Sequence, residues 1–310
     1  MTMSVFIDGA AGTTGLDIAE RLAGRGELSL IVLDDARRKS ADARREAFGD
    51  ADFAILCLPD DAAREAVVLA EGTNARIIDA SSAHRVTLGW TYGFAEMCAG
   101  QRDAIAAASH VSNPGCYSTG FIALVAPLVA RGLLPADGYY SCNAVSGYSG
   151  GGKAMIARFA AEPDLAWRGY ALSLDHKHVP EMRDRCGLAY APLFTPAVVP
   201  ALRGMAVEVP LIRAADARIA PADALAAALA EHYADSVLIT VGALGTDGEL
   251  LLCDNAPASD RLALSLFASA DGQHIRLVAM LDNLGKGAGG ACVQNLNIMA
   301  GLPETSGLRL

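Results

Sequence analysis

Ser4-Val-Phe-Ile-Asp-Gly-Ala-Ala-Gly-Thr-Thr-Gly-Leu-Asp-Ile-Ala-Glu-Arg-Leu22 opens the chain with a short apolar run, a glycine-rich turn and a helical pattern. Strand, turn and helix in that order are the setting a dinucleotide-binding turn requires. Gly9 permits the turn, Gly12 lets backbone approach a pyrophosphate, and Gly15 lets the helix pack close to the strand. Thr13 and Thr14 stand where the helix begins, and a helix N-terminus attracts the pyrophosphate itself. The G-x-x-G-x-x-G spacing also occurs in plain strand–helix turns, so the flanking elements carry the assignment to an α/β, Rossmann-type domain.

The next segments continue the alternation. Leu28–Leu33 is a second strand and runs into Asp34-Asp-Ala-Arg-Arg-Lys39. An acidic residue about 20 positions past the glycines takes a ribose 2′-hydroxyl and argues for NAD. The three cations just beyond argue for a 2′-phosphate, or simply for a solvated helix start. Phe53–Leu58 is a third buried strand, followed by a helix from Ala62 to Ala70. Arg76-Ile-Ile-Asp-Ala-Ser-Ser-Ala-His-Arg85 is a strand with a polar loop at its carboxyl end, where such sheets bind ligands.

The chemistry concentrates at Ser109-His-Val-Ser-Asn-Pro-Gly-Cys-Tyr-Ser-Thr-Gly-Phe121. A strand ending near Val111, a Pro-Gly turn and a helix opening near Tyr117 place Cys116 at a helix N-terminus. There the helix dipole favours thiolate over thiol, and outward N–H groups can hold an oxyanion. A small buried cysteine beside a loop is the plainer alternative.

Composition bounds what else the chain can be. With 310 residues, 52% hydrophobic and 19% charged, it can bury a large core in two domains. A net charge of -10 argues against nucleic acid and anionic membranes as partners. No apolar run is long enough to span a bilayer, and the first residues carry no basic leader. Seven scattered cysteines read as reduced cytoplasmic thiols, with Cys57, Cys142, Cys253 and Cys292 in the core.

In the second half, Tyr139–Val145 alternates like a half-buried strand and runs into Ser146-Gly-Tyr-Ser-Gly-Gly-Gly-Lys153. That glycine run lacks the spacing of a phosphate-binding P-loop and could be a flexible crossover. Asp175-His-Lys-His-Val-Pro-Glu-Met182 puts His176 and His178 on one side of an extended segment, with Pro180 favouring a helix start. No further ligand is spaced to complete a metal site, so none is assigned. Val207–Ile212, Val237–Val241, Leu262–Phe267 and His274–Leu281 are strands, with an Ala-rich helix from Pro221 to Tyr233. Asp282-Asn-Leu-Gly-Lys-Gly-Ala-Gly-Gly-Ala291 leads into a last helix through Met299.

Ser112-Asn-Pro-Gly-Cys-Tyr-Ser-Thr-Gly120 resembles the active-site segment of N-acetyl-gamma-glutamyl-phosphate reductases, relatives of aspartate-semialdehyde dehydrogenases. Ser118 and Leu124 depart from the commonest pattern and fit the shorter, type 2 branch of that family. The likeness extends over nearly the whole chain. It implies NADP as cofactor, with Arg37 and Arg38 on the 2′-phosphate and Asn283, Lys286 and Gly287 returning to the nicotinamide. It implies Cys116 as nucleophile and His178 as acid/base, with Glu181 orienting the imidazole. Asn113, Arg85, His176 and the Ser146-Gly147 loop are implied in holding an acyl-phosphate substrate; a phosphate contact from Lys153, at the end of that loop, is an expectation from position alone. Tyr92-Gly-Phe-Ala-Glu96 also matches the family, without a chemistry of its own.

The expected architecture is a Rossmann-type domain of residues 1–115 with 284–310, and an α+β catalytic and oligomerisation domain of residues 116–283 with a mixed, mostly antiparallel sheet. The active site is expected in the cleft between the two domains, in a cytoplasmic homodimer or homotetramer. Related acyl-phosphate reduction and a non-catalytic NADP sensor remain as alternatives; the combination of Asn-Pro-Gly-Cys with His-x-His favours the N-acetyl-glutamyl branch.

Overall fold

The computed structural model describes residues 2–245, 248–254 and 256–310. The chain forms two compact units. The first comprises residues up to Ala95, Ala99–Gly115 and Ala288–Leu308; the second comprises Glu96–Cys98, Cys116–Gly287 and Arg309–Leu310.

In the first unit, β1 (Met3–Asp8), α1 (Thr13–Leu22), β2 (Leu28–Ile31), α2 (Ala41–Gly49), β3 (Phe53–Leu56), α3 (Asp60–Leu69) and β4 (Arg76–Asp79) alternate as the sequence predicts. β5 (Thr91–Tyr92), α4 (Gln101–Ala107) and β6 (His110–Ser112) follow. All strands pair in parallel, in the order β2-β1-β3-β4-β6-β5. The order reverses at β1, so the crevice beyond its carboxyl end is where a doubly wound sheet binds ligands. Alternation along β1 divides the core. Val5 and Ile7 pack with Ile18 and Leu22 of α1 and with Leu296 of the chain's last helix (Gly290–Met299), while Phe6 packs with Phe48 and Ala66 on the opposite face. This is the Rossmann-type sheet expected.

The second unit begins with α5 (Cys116–Ala130), then β7 (Ser141–Gly147), α6 (Gly152–Ala161), β8 (Arg168–Gly169), α7 (Val179–Arg185) and β9 (Leu193–Val199). β10 (Met205–Ile212), α8 (Ala222–His232), β11 (Ile239–Val241), β12 (Leu262–Ala268) and β13 (His274–Leu281) complete it, and the last helix becomes α9. The sheet order is β11-β12-β13-β10-β7-β9-β8; β7–β9 and β11–β12 pair in parallel and the rest antiparallel. The mixed, mostly antiparallel sheet is as predicted.

α5 is apolar on every side and packs on β10, β13, α7 and α8. It contains Pro127, which has no N–H to donate to Ala123 four residues earlier. The Tyr233 hydroxyl supplies the missing donor, 2.9 Å from the Ala123 carbonyl.

Local expectations needed revision. The glycine run after β7 is ordered: a 3-10 turn, Tyr148–Gly151, leads straight into α6. His176 and His178 lie in a turn rather than an extended segment, closed by Val179 N–H to the His176 carbonyl at 2.9 Å. Cys253 is exposed, because the stretch around it forms no strand that could bury it.

Candidate active site

Cys116 is the first residue of α5, directly after the Asn113-Pro114-Gly115 turn, and no acidic residue in the first helical turn opposes the positive helix end. A helix N-terminus in this state lowers a thiol's pKa. The other thiols separate by environment. Burial pushes Cys57 up to about 12 and raises Cys142, Cys186 and Cys292 as well. Cys98 and Cys253 are exposed outside helices. Gly287 is pressed against the nucleophile candidate: a Cβ there would sit 2.9 Å from the Cys116 Cβ.

Around the thiol the second unit assembles an aromatic cluster. The Tyr117 ring stands 6.5 Å from His176 and 5.9 Å from His178, centroid to centroid, and packs edge-on against Phe194 at 5.2 Å. The two imidazoles are 4.6 Å apart and near perpendicular, because the His178 N–H donates to His176 Nδ1 at 3.1 Å within the turn. His178 precedes α7, whose first turn holds Pro180 and the buried Glu181; Glu181 Oε1 lies 4.0 Å from His178 Nε2. Tyr170 stands 5.6 Å from His176 on the far side. Burial raises the Tyr170 phenol to about 12, with a hydrogen bond from Tyr117 working against the rise and the Cys116 charge adding to it. Burial raises Tyr117 too, and Ser146 hydrogen-bonds its hydroxyl.

The Ser146-Gly147 loop is held by backbone pairing. Gly147 N–H donates to Gly204 O at 2.8 Å and Tyr148 N–H to Ala201 O at 2.8 Å. Asn283 crosses it, donating to Ser149 Oγ and accepting from Gly204 N–H, each at 2.9 Å. Lys286 directs its ammonium to Glu96, so the Tyr92–Glu96 segment, which suggested no chemistry, supplies a buried counter-ion. Lys153 is exposed in the first turn of α6. The second unit thus brings Cys116, Ser146, His176, His178 and Gly287 around Tyr117, Tyr170 and Phe194. Tyr170 and Phe194 were marked by no motif, and Tyr117 only by its place after Cys116 in the Ser112–Gly120 segment.

In the first unit, Gly9 has φ +89, a left-handed conformation that glycine adopts at least cost. A Cβ on Gly15 would come within 2.5 Å of the Gly9 carbonyl oxygen, so the helix packs as closely as the turn allows. Gly12 caps α1 without a side-chain hydrogen bond, which leaves the first N–H groups of Thr13 and Thr14 facing outward at the carboxyl end of β1. This cradle fits a pyrophosphate, and with it a dinucleotide. Arg37 pairs with Glu46 at 2.5 Å and Arg38 with Asp35 at 2.6 Å, all four exposed. Asp8, at the end of β1, is buried against Arg44, a pairing with no motif behind it; burial raises the Asp8 carboxyl despite the cation.

Arg85 and Asn113 make hydrogen bonds within the first unit. Arg85 Nε donates to Asn113 O at 3.0 Å and Nη2 to Ala80 O at 3.4 Å. Asn113 donates to Ala288 O and accepts from Asn295, each at 3.0 Å. Both therefore brace the turn that delivers Cys116. Among the described residues no group of three or more His, Cys, Asp or Glu is placed to hold a metal, and no helix is long and apolar enough to cross a membrane.

A family model described as semialdehyde dehydrogenase, dimerisation domain, matches residues 116–283, and one described as semialdehyde dehydrogenase, NAD binding domain, matches residues 37–108. The chain is 48% identical over 308 residues to an N-acetyl-gamma-glutamyl-phosphate reductase of Rhizobium meliloti, covering 96% of this chain and 99% of that protein. It is 48% identical over 309 residues to one of Brucella ovis, covering 97% of this chain and 100% of that protein. Among solved structures, aspartate semialdehyde dehydrogenase II of Vibrio cholerae superposes with a TM-score of 0.72 at 18% identity, covering 97% of this chain and 99% of that one.

Proposed function

The chain belongs to the N-acetyl-gamma-glutamyl-phosphate reductase family within the semialdehyde dehydrogenases, and from that premise we propose how its residues carry out the reaction. It reduces N-acetyl-glutamyl 5-phosphate to the 5-semialdehyde with NADPH, a step of arginine biosynthesis.

The thiolate of Cys116 forms a bond to the acyl carbon, and the carbon–oxygen bond to phosphate breaks with its electron pair leaving on phosphate. The outward N–H groups at the start of α5 hold the oxyanion of that addition. The product is a thioester on Cys116, more easily reduced than a carboxylate. When bound, NADPH supplies the hydride that converts the thioester carbon to the aldehyde level. His178 places a proton on the resulting oxygen and takes it back as the carbon–sulfur bond breaks, which restores the thiolate. His176 and the Ser146-Gly147 loop position the substrate. Gly9, Gly12, Thr13, Thr14 and Gly15 receive the pyrophosphate, Arg37 and Arg38 the 2′-phosphate, and Asn283, Lys286 and Gly287 shape the approach to Cys116.

Residues 1–115 with 284–310 form the cofactor domain and 116–283 the catalytic and oligomerisation domain. The sheet face opposite α5 carries Ala206, Glu208, Met280 and the exposed Ile212, which suits burial against a second copy in a homodimer or homotetramer. Seven free thiols fit the reducing cytoplasm.

The observation that carries the reading is Cys116 at the start of α5, beside a tyrosine whose ring faces both His176 and His178. Purified protein given NADP⁺, phosphate and N-acetyl-glutamate 5-semialdehyde is expected to produce NADPH, and Cys116→Ser to abolish turnover while still binding cofactor. Preference for aspartate semialdehyde, or turnover in the serine variant, would defeat it.

A further inference from the structure

The proposed substrate carries a charge that none of the residues above answers. Its amino group is acetylated and neutral, so the α-carboxylate is its permanent charge away from the phosphoryl end. A cation that no protein carboxylate already holds would answer it at least cost.

Several cations of the second unit fail that requirement. Arg203 pairs with Asp282, Arg158 with Glu162, Arg183 with Asp184 and Lys286 with Glu96. Arg168 differs. It is half-buried, and among the described residues no carboxylate lies within ion-pair distance of it. Its guanidinium lies instead over the face of Tyr170, 4.8 Å from the ring centroid.

The local structure explains this placement. Arg168 and Gly169 form the edge strand β8, paired antiparallel with Val198 and Ala197 of β9. The Ala197 carbonyl also accepts from the Tyr117 hydroxyl, at 3.2 Å, which ties the strand to the residue after the nucleophile. Arg168 and Tyr170 are two apart on an extended segment and so share a face, with the ring serving as a platform for the cation. That ring stands 5.6 Å from His176.

We propose that Arg168, its guanidinium over the Tyr170 ring, binds the α-carboxylate of the substrate; this rests on the reaction proposed above. A planar guanidinium offers a carboxylate two parallel N–H donors, and stacking fixes the fork before the substrate arrives. The contact distinguishes substrates that carry an α-carboxylate from those that lack one.

The test compares wild type, Arg168→Gln and Arg168→Lys in the aldehyde-oxidising direction with NADP⁺ and phosphate. The substrates are N-acetyl-glutamate 5-semialdehyde and 4-acetamidobutanal, the same molecule without its carboxylate. Arg168→Gln is expected to lose about 10- to 100-fold in kcat/KM on the carboxylated aldehyde, mostly through KM, and nothing on 4-acetamidobutanal. Arg168→Lys should recover part of the loss. Competitive inhibition by N-acetyl-glutamate against 4-acetamidobutyrate makes the same comparison without turnover of the probe. Equal losses on both members of either pair would reduce Arg168 to a structural residue and overturn the assignment, as would no loss at all. Wild type inert towards the carboxylated aldehyde would overturn the reaction itself, and this inference with it.

Discussion

The ammonium of Lys286 lies 2.8 Å from each carboxylate oxygen of Glu96, and both side chains are buried. Lys286 immediately precedes Gly287, where an added Cβ would sit 2.9 Å from the Cys116 Cβ. A pair of this kind adds little net stability, since desolvating two charges costs about what their attraction returns. It ties the residue before Gly287 to Glu96.

Removing one member is therefore expected to be far worse than removing both. Glu96→Gln should cost about 3–5 kcal/mol by leaving a buried ammonium uncompensated, and Glu96→Leu with Lys286→Met should regain most of it. Urea unfolding of the three proteins checks this. A loss below about 1 kcal/mol in the single variant would show that water reaches the pair.

The two histidines should separate by kinetic parameter. His178→Asn is expected to lower kcat by roughly 10²–10⁴ and flatten the pH–rate profile, as loss of a proton-transfer group does. His176→Asn should mainly raise KM. The opposite pattern would exchange the roles, which the 4.6 Å between the rings makes sterically simple.

Arg37 and Arg38 stand in exposed ion pairs with Glu46 and Asp35. Exposed pairs contribute at most about 1 kcal/mol, so a phosphate dianion can displace the carboxylates. Arg37→Ala with Arg38→Ala should weaken NADPH by about 10- to 100-fold per lost contact and leave NADH nearly unchanged, measured by fluorescence titration. Equal weakening of both would remove these residues from the 2′-phosphate.

Alkaline pH should unfold the protein through its core thiols. Cys142, Cys186 and Cys292 are held above their ordinary value of 9.0 by burial. The unfolded chain therefore releases these protons first as pH rises. Stability contributed by each thiol is complete below about pH 9 and falls above it by about 1.4 kcal/mol per pH unit, until the folded-state pKa is reached. Chemical denaturation at pH 8 and 10 should show the decline, and Cys142→Ala a shallower slope. An unchanged slope would mean that Cys142 ionises without unfolding.

The alternation of strands and helices in the first unit was legible because β1, β3 and β4 are short apolar runs bounded by turn residues. The start of α5 was legible from Pro114-Gly115, and the second sheet from runs such as Val207–Ile212. What escaped notice had no periodic signal. β8 has only Arg168 and Gly169, β9 is interrupted by Pro196, and Gly285–Gly289 winds as a π-helix through residues that read as loop. The partners of Lys286, Arg85 and Asn113 lie far along the chain or on backbone atoms, where residue type says nothing. Proximity of Tyr117 and Tyr170 to the histidines likewise depends on how β9 and β8 stack, and no local pattern encodes it.

α5 has no polar face, so before β10, β13 and α8 cover it there is little to hold it as a helix in water. Its first residue is Cys116, the proposed nucleophile, and a helix N-terminus can act on a thiol only once the helix exists. On this reading an unfinished chain lacks the helix end that would activate Cys116. Alkylation rate at Cys116 would then report when α5 and the packing around it are complete.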